Sequence, residues 1–157
     1  MSGWGGRVQE ARGQAMVEFA MVIAVFLLML FGAVSASVYT LERGAAVTAV
    51  AAGARVAAGG TEADPNTPNL RAAVPAVARV ASPALFGTRV NQVAPGGACR
   101  SPEQVPGGEV DACALQTANG MVEVDLRGRP ANPAQAAFGL AWRLDVGARI
   151  QPVTFRP

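Results

Sequence analysis

The chain has 157 residues and a formal net charge of +2. All 13 of its basic residues are arginines, because the sequence contains neither lysine nor histidine. Without histidine there is no Ser-His-Asp or Cys-His pair and no imidazole metal ligand, and without lysine there is no P-loop lysine or Schiff base. The acidic residues are scattered, and the basic residues form no stripe. We therefore expect no enzymatic activity, no cofactor or metal site and no binding to nucleic acid.

A long apolar run near the N-terminus predicts a helix that crosses a membrane once. No charged residue occurs between Phe19 and Tyr39, and a helix of that length rises about 30 Å, which matches the hydrocarbon core of a bilayer. Arg7 and Arg12 precede the run, so the positive-inside rule puts the N-terminus in the cytoplasm and the rest of the chain outside. Two alternatives stay open: a secretory signal peptide cut near Ser37, and a plain single-span anchor.

The residues at the start of the apolar run have a distinctive spacing. The segment from Gly13 to Phe19, GQAMVEF, reads G-x-x-x-x-E-F, which resembles the prepilin peptidase motif of the Flp/Tad branch of type IV pilins. The resemblance implies a cut after Gly13, so that Gln14 becomes the new N-terminus and Glu18 the fifth mature residue. Residues 1–13 would then form a prepilin-type leader.

Physical chemistry supports this spacing. A new amine at Gln14 and the carboxylate of Glu18 are four residues apart and share one helical face. A carboxylate in the first helical turn also interacts favourably with the helix dipole. In pilin-like fibres this Glu is thought to neutralise the N-terminal amine of a neighbouring subunit, which supplies the partner that a charge in a membrane requires. The resemblance therefore implies that Glu18, followed by Phe19, acts in assembly.

Within this branch the sequence resembles TadE-like proteins. The stretch RGQAMVEFAMVIAVFLLMLFG, residues 12–32, is similar to their N-terminal signature. The stretch ERGAAVTAVAAGARVAAGG, residues 42–60, is similar to the Ala-rich segment that often follows in this family. The likeness covers about residues 12–60 and implies a minor pilin or pseudopilin of a Tad-type pilus or secretion apparatus.

The same resemblance implies partners and a location. The partners would be a prepilin peptidase, other major and minor pilins, the inner-membrane assembly platform and the lipid bilayer. The chain would lie in the bacterial inner membrane or in an extracellular pilus. The alternative is a membrane-anchored or secreted extracytoplasmic binding domain unrelated to pili.

The Ala-rich stretch predicts that the helix continues beyond the membrane, so we assign residues 14–60 to one N-terminal helix. Small side chains allow close helix approach, although Gly44 and Gly53 each weaken an isolated helix by about 1 kcal/mol. Two interpretations are equally open. The stretch is a packing surface against sister subunits or the C-terminal domain, or it reflects a GC-rich coding sequence.

Residues 61–157 are predicted to form an extracytoplasmic α+β domain with a short helix and an antiparallel β-sheet. Residues 61–67 have the composition of a loop. The helix is expected to have Thr67 as its cap and Pro68 as its first residue. Its apolar stripe comprises Leu70, Val74, Val77 and Ala81. Pro75 is an objection to this helix, because it removes a backbone hydrogen bond.

From Cys113 onward the apolar pattern has a period of two, which is typical of strands. Asn119-Gly120 predicts a two-residue type I′ hairpin turn. That turn would place Leu115 opposite Val124 and Cys113 opposite Leu126. A third strand is predicted over residues 142–150 and a fourth over residues 88–93.

Cys99 and Cys113 are the only cysteines, and both lie in the part predicted to be outside the cytoplasm. An oxidising compartment favours a disulfide between them. Closing a loop of that length contributes about 3 kcal/mol in the chain-entropy model. The alternative is two separate thiols, one of them a small core residue on the hairpin.

Overall fold

The computed structural model describes residues 5–61, 67–132, 139 and 142–151, with the side chains of the first helix described from Gln14 onward. Most of the loop predicted over residues 61–67, and residues 1–4 of the predicted leader, lie outside the described residues. The elements in chain order are α1 (Gly5–Ala58), α2 (Leu70–Ala81), β1 (Arg89–Gln92), β2 (Glu109–Gln116), β3 (Val122–Arg129) and β4 (Leu144–Ile150). The chain is therefore α+β, as predicted.

Contacts along the backbone divide the chain into two units, Met1–Ser37 and Val38–Pro157. In the first unit, α1 exposes its large apolar side chains from Met16 to Val34 on all sides. A helix that is apolar all round is typical of a buried core or a membrane span, and α1 is long and apolar enough to cross a membrane. The second unit, called here the C-terminal unit, contains the rest of α1, α2 and the sheet.

One side of α1 lies in the core of the C-terminal unit. Its buried residues there are Ala46, Ala49, Val50, Ala54 and Ala57. Small side chains let the backbone of α1 approach α2 and the sheet closely, and Gly53 lies among them. The other side of this part of α1 is exposed, as at Val47 and Val56. The Ala-rich stretch is therefore a packing surface against the chain's own C-terminal domain.

Helix α2 begins two residues later than predicted, because Asn69 is its cap rather than Thr67. The Asn69 side chain accepts a hydrogen bond of 3.1 Å from the Ala72 amide, which satisfies one of the free N–H groups of the first turn. Pro75 lies inside the helix on its exposed side. The helix tolerates it because the carbonyl left without a helical partner, that of Arg71, belongs to an exposed residue. The predicted stripe is buried at Val74, Val77 and Ala81 and half-buried at Leu70.

The four strands form one sheet in the order β1-β2-β3-β4. The β2–β3 and β3–β4 pairs are antiparallel, as predicted, but β1 runs parallel to β2. The sheet is therefore mixed. Parallel neighbours need a connection of about a dozen residues or more, and residues 93–108 supply it by returning the chain to the start of β1.

The register predicted for the β2–β3 hairpin is wrong by one residue. Leu115 pairs with Glu123 rather than Val124, and Cys113 pairs with Asp125 rather than Leu126. Because side chains alternate along a strand, this shift reverses the faces of β2. The core side of β2 is formed by Val110, Ala112 and Ala114.

The shift arises at the turn. The Thr117 amide donates to the Met121 carbonyl at 2.8 Å, and the Gly120 amide donates to the Thr117 carbonyl at 2.9 Å. Three residues therefore form the loop instead of two. Gly120 has a φ of 76°, whereas no non-glycine residue in the described chain, Asn119 included, has a positive φ. This is a three-residue hairpin loop with glycine in the left-handed position, and not a type I′ turn.

Strand β4 confirms the predicted alternation but begins at Leu144 rather than Trp142. Leu144 is buried, and Val146, Ala148 and Ile150 pack against the core. Asp145, Gly147 and Arg149 are exposed, so the sheet has a core face and a polar face.

Candidate functional site

The predicted processing and assembly residues all lie on α1. Gly13, Gln14, Glu18 and Phe19 occupy consecutive turns of that helix. The side-chain amide of Gln14 donates a hydrogen bond of 3.2 Å to Oε1 of Glu18. Both residues are exposed, and Phe19 is 66% exposed. The structure therefore places Gln14 and Glu18 on one helical face, as the spacing predicts.

The Glu18 carboxylate is available to an external cation. In the described part of the chain it accepts the bond from Gln14 and forms no ion pair. The peptide nitrogen that a cut after Gly13 would convert to an amine belongs to Gln14 itself, one helical turn away. Residues four apart on a helix have Cβ atoms about 5–6 Å apart. Gln14 and Glu18 thus form a compact polar patch at the start of the apolar part of α1.

The structure joins the two cysteines. Cys99 and Cys113 form a disulfide with their Cα atoms 5.6 Å apart. Cys113 is buried on β2, whereas Cys99 belongs to the connection over residues 93–108. The bridge therefore ties this connection to the polar face of the sheet, and the predicted disulfide is confirmed.

A second attachment of the same connection lies next to the disulfide. The Arg100 guanidinium donates two hydrogen bonds, from Nε to Oδ2 and from Nη2 to Oδ1 of Asp111, each 2.7 Å long. Asn91 on β1 donates to Asp111 at 3.3 Å and to Glu109 at 2.8 Å. The bonds from Arg100 hold the pKa of Asp111 below its ordinary value, and they outweigh the opposite effect of burial.

No pattern in the sequence predicts this pair. Arg100 and Asp111 are separated by a segment rich in proline and glycine, which carries no periodicity to relate them. The proximity of each residue to a cysteine was the only available signal. A third attachment of the connection also has no signal in the sequence. Arg129 on β3 donates from Nε to the carbonyl of Val105 at 2.8 Å, and the Val105 side chain is fully buried.

The rest of the polar face is a network of ion pairs around Arg127. Its guanidinium lies 3.0 Å from Asp125 and 3.0 Å from Asp145, and Arg149 lies 3.1 Å from Glu123. Burial raises the pKa of Asp125, and the charge of Arg127 opposes that rise. Acids and bases face each other across the strands, as in the cross-strand pairs that stabilise sheets.

An aromatic pair joins the last residue of the apolar run to the sheet. The rings of Tyr39 and Trp142 are stacked, with centroids 4.4 Å apart and an angle of 28° between their planes. Trp142 lies two residues before the start of β4. Tyrosine and tryptophan are enriched where proteins meet the membrane surface. That enrichment is the one sequence signal for this pair.

Comparison with known proteins finds a similarity in the N-terminal part of the chain. Residues 13–55 match the family model described as TadE-like protein. The match begins at the glycine of the G-x-x-x-x-E-F motif and extends into the part of α1 that packs in the C-terminal unit. Comparison with curated proteins and with solved structures gives no match.

Proposed function

Residues 13–55 are TadE-like, and from this we propose that the chain is a minor pilin or pseudopilin of a Tad-type pilus or secretion apparatus. One observation carries the proposal: the family match begins at the G-x-x-x-x-E-F motif, where the part of α1 that is long and apolar enough to cross a membrane begins. The role is structural. The chain assembles through its N-terminal helix and turns over no substrate.

Processing is the first step of the proposed role. A prepilin peptidase cuts between Gly13 and Gln14 and removes residues 1–13, including Arg7 and Arg12. Glycine has only a hydrogen atom in place of a side chain. A peptidase pocket that accepts only glycine before the cut would clash with any larger residue at position 13. The cut converts the Gln14 nitrogen into a cationic amine at the N-terminus of the helix.

Assembly is the second step, and it requires Glu18. The Glu18 carboxylate of one subunit neutralises the new amine of a neighbour, because a charge inside a membrane or a fibre core needs a partner. The exposure of Glu18, and its position on the same face as Gln14, support this role. The partners are a prepilin peptidase, other major and minor pilins, and the inner-membrane assembly platform.

The proposed location follows from charge and from the disulfide. With Arg7 and Arg12 in the cytoplasm, the helix crosses the inner membrane and the C-terminal unit lies outside the cytoplasm. The Cys99–Cys113 bridge supports that side, because disulfides persist in oxidising compartments.

Two substitutions in the native host test the proposal, because they should fail at different steps. Gly13→Leu should accumulate full-length, membrane-bound precursor. Glu18→Ala should still be cut, at least in part, but should join pilus complexes poorly. Glu18→Asp should be intermediate, because it keeps the charge and shortens the reach. Immunoblotting of membranes and of sheared fibres measures both steps.

Glu10→Ala is the matched control, because Glu10 is the nearest acid in the leader and is removed with it. This variant should be processed and assembled like the wild type. Normal cleavage of Gly13→Leu, or wild-type incorporation of Glu18→Ala, would contradict the proposed function.

A further inference from the structure

Helix α2 runs antiparallel to the part of α1 that lies in the C-terminal unit. The Asn69 amide, just before α2, donates to the Ala57 carbonyl near the end of α1 at 3.0 Å. Further along, Gly53 of α1 lies against Val77 of α2. Because both helices rise 1.5 Å per residue, the end of α2 at Ala81 is level with about Ala46 of α1. The turn after α2 therefore lies at the end of the C-terminal unit where the chain arrives from the apolar run.

We call this the span-side end and define it by residues 38–43 of α1 and by residues 82–89, which run from the turn after α2 to the first residue of β1. Two contacts show that the sheet reaches the same end. The Ala131 amide, after β3, donates to the Thr88 hydroxyl, before β1, at 2.8 Å. Trp142, before β4, stacks on Tyr39. Both parts of the span-side end therefore lie at the end of the sheet where β1 and β4 begin.

Phe86 is exposed on this surface, although a large aromatic side chain gains from burial. Its neighbour Leu85 is 1% exposed in the core, whereas Phe86 itself is 77% exposed. Backbone bonds fix the turn: the Leu85 amide donates to Ala81 at 3.0 Å, and the Thr88 amide donates to Leu85 at 3.1 Å. The ring is therefore held outward by an ordered turn. Leu41 on α1 is 73% exposed at the same end.

The exposed charges of the span-side end are basic. Arg43 and Arg89 are exposed and form no ion pair among the described residues. Glu42, beside Arg43 on α1, is only 2% exposed. Glu109, opposite Arg89 on β2, accepts a hydrogen bond from Asn91. Arg143, beside Trp142, is paired with Glu103 at 2.8 Å. Apolar side chains flanked by unpaired arginines are complementary to an anionic lipid surface.

We propose that the span-side end of the C-terminal unit rests on the lipid surface of the membrane, with Phe86 and Leu41 inserted at the headgroup level and Arg43 and Arg89 against anionic headgroups. The inference rests on the membrane-spanning part of the proposed function. It is independent of processing and of pilus assembly. Chain continuity supports it, because Leu41 follows the apolar run after a single intervening residue. The stacked Tyr39–Trp142 pair places two further interfacial aromatic residues at the same end.

Depth-dependent fluorescence quenching in the full-length chain tests this contact. The parent variant is Trp4→Phe, which leaves Trp142 as a constant background. Phe86→Trp is compared with Asn119→Trp, which places the same probe on the exposed hairpin turn at the opposite end of the sheet. Each protein is reconstituted in vesicles of phosphatidylethanolamine and phosphatidylglycerol that carry brominated acyl chains. After subtraction of the parent signal, the Phe86→Trp emission should be quenched at least twofold more than that of Asn119→Trp.

Alkaline extraction of the same vesicles separates the two possible failures. If the chain stays in the vesicles and both probes are quenched equally, the lipid contact is wrong while the membrane span stands. If alkaline buffer releases the chain, the membrane span is wrong and the lipid contact is overturned with it.

Discussion

Gly53 of α1 lies directly against Val77 of α2. A β-carbon at position 53 would overlap Cγ2 of Val77 and would lie 3.2 Å from both the Ala73 carbonyl and Cγ1 of Val124. The glycine therefore permits α1 to pack on α2 and on the sheet at once. At Gly44, by contrast, a β-carbon would meet nothing within 4 Å.

This contrast predicts opposite effects for the same substitution. Gly53→Ala should destabilise the chain by about 1–3 kcal/mol, as overpacking in a core does. Gly44→Ala should stabilise it by up to about 1 kcal/mol, because alanine is the better helix former and the site has room. Thermal unfolding of the full-length chain in detergent, followed by circular dichroism, measures both. A Gly53→Ala protein as stable as Gly44→Ala would show that α1 does not pack against Val77.

Removal of the disulfide should lower stability without changing the fold. Cys99→Ser should cost about 2–5 kcal/mol, as for native bridges in small secreted domains. Mass analysis without reduction should find Cys99 joined to Cys113 and no free thiol. Quantitative alkylation of both thiols in protein taken from its native compartment would refute the bridge.

The Arg100–Asp111 pair predicts a dependence of stability on pH. The pKa of Asp111 is lowered in the folded chain. As the pH falls below about 4, the ordinary range of an aspartate, the unfolded chain therefore binds more protons than the folded chain does. The stabilisation that Asp111 gains from Arg100 is therefore present above that range and is lost as the pH falls through the lowered pKa of Asp111.

Arg100→Gln should remove this part of the acid sensitivity and lower the melting temperature at neutral pH. Arg143→Gln is the control, since Arg143 and Glu103 form an ion pair of two exposed side chains, which contributes little to stability. Melting temperatures between pH 7 and pH 2 measure both variants. Equal pH profiles for the two would contradict the role given to Arg100.

The hairpin loop predicts a difference between its two neighbouring residues. Gly120→Ala should destabilise the chain by about 1–2 kcal/mol, because a β-carbon is disfavoured at a positive φ. Asn119→Ala should change stability little, because Asn119 is exposed and has no positive φ. The same unfolding assay compares them. If Asn119→Ala proved as costly as Gly120→Ala, the two-residue type I′ turn would replace the observed loop.

Features set by local periodicity could be predicted from the sequence. The long apolar helix, the stripe of α2 and the alternation of β4 follow from hydrophobic spacing alone. The family-specific spacing of Gly13 and Glu18 likewise lies within a single stretch of helix. The cysteine pairing was predictable because the chain offers only one intramolecular pair.

The predictions that were wrong, the hairpin register and the direction of β1, depend on turn geometry and on contacts between distant residues. Asn119-Gly120 favours a two-residue turn, but a three-residue loop directs Val110, Ala112 and Ala114 into the core opposite Val124 and Leu126. The parallel direction of β1 depends on how residues 93–108 fold over the sheet. The Arg100 and Arg129 attachments hold that connection, and neither is encoded in a local pattern.

The mature N-terminus tests the central claim most directly. Protein isolated from its own host is digested and its N-terminal peptide identified by mass spectrometry, in wild-type cells and in cells without prepilin peptidase. We expect the chain to begin at Gln14 in the first case and to retain the leader through Gly13 in the second. Retention of the leader in wild-type cells, or a cut near Ser37, would contradict the account.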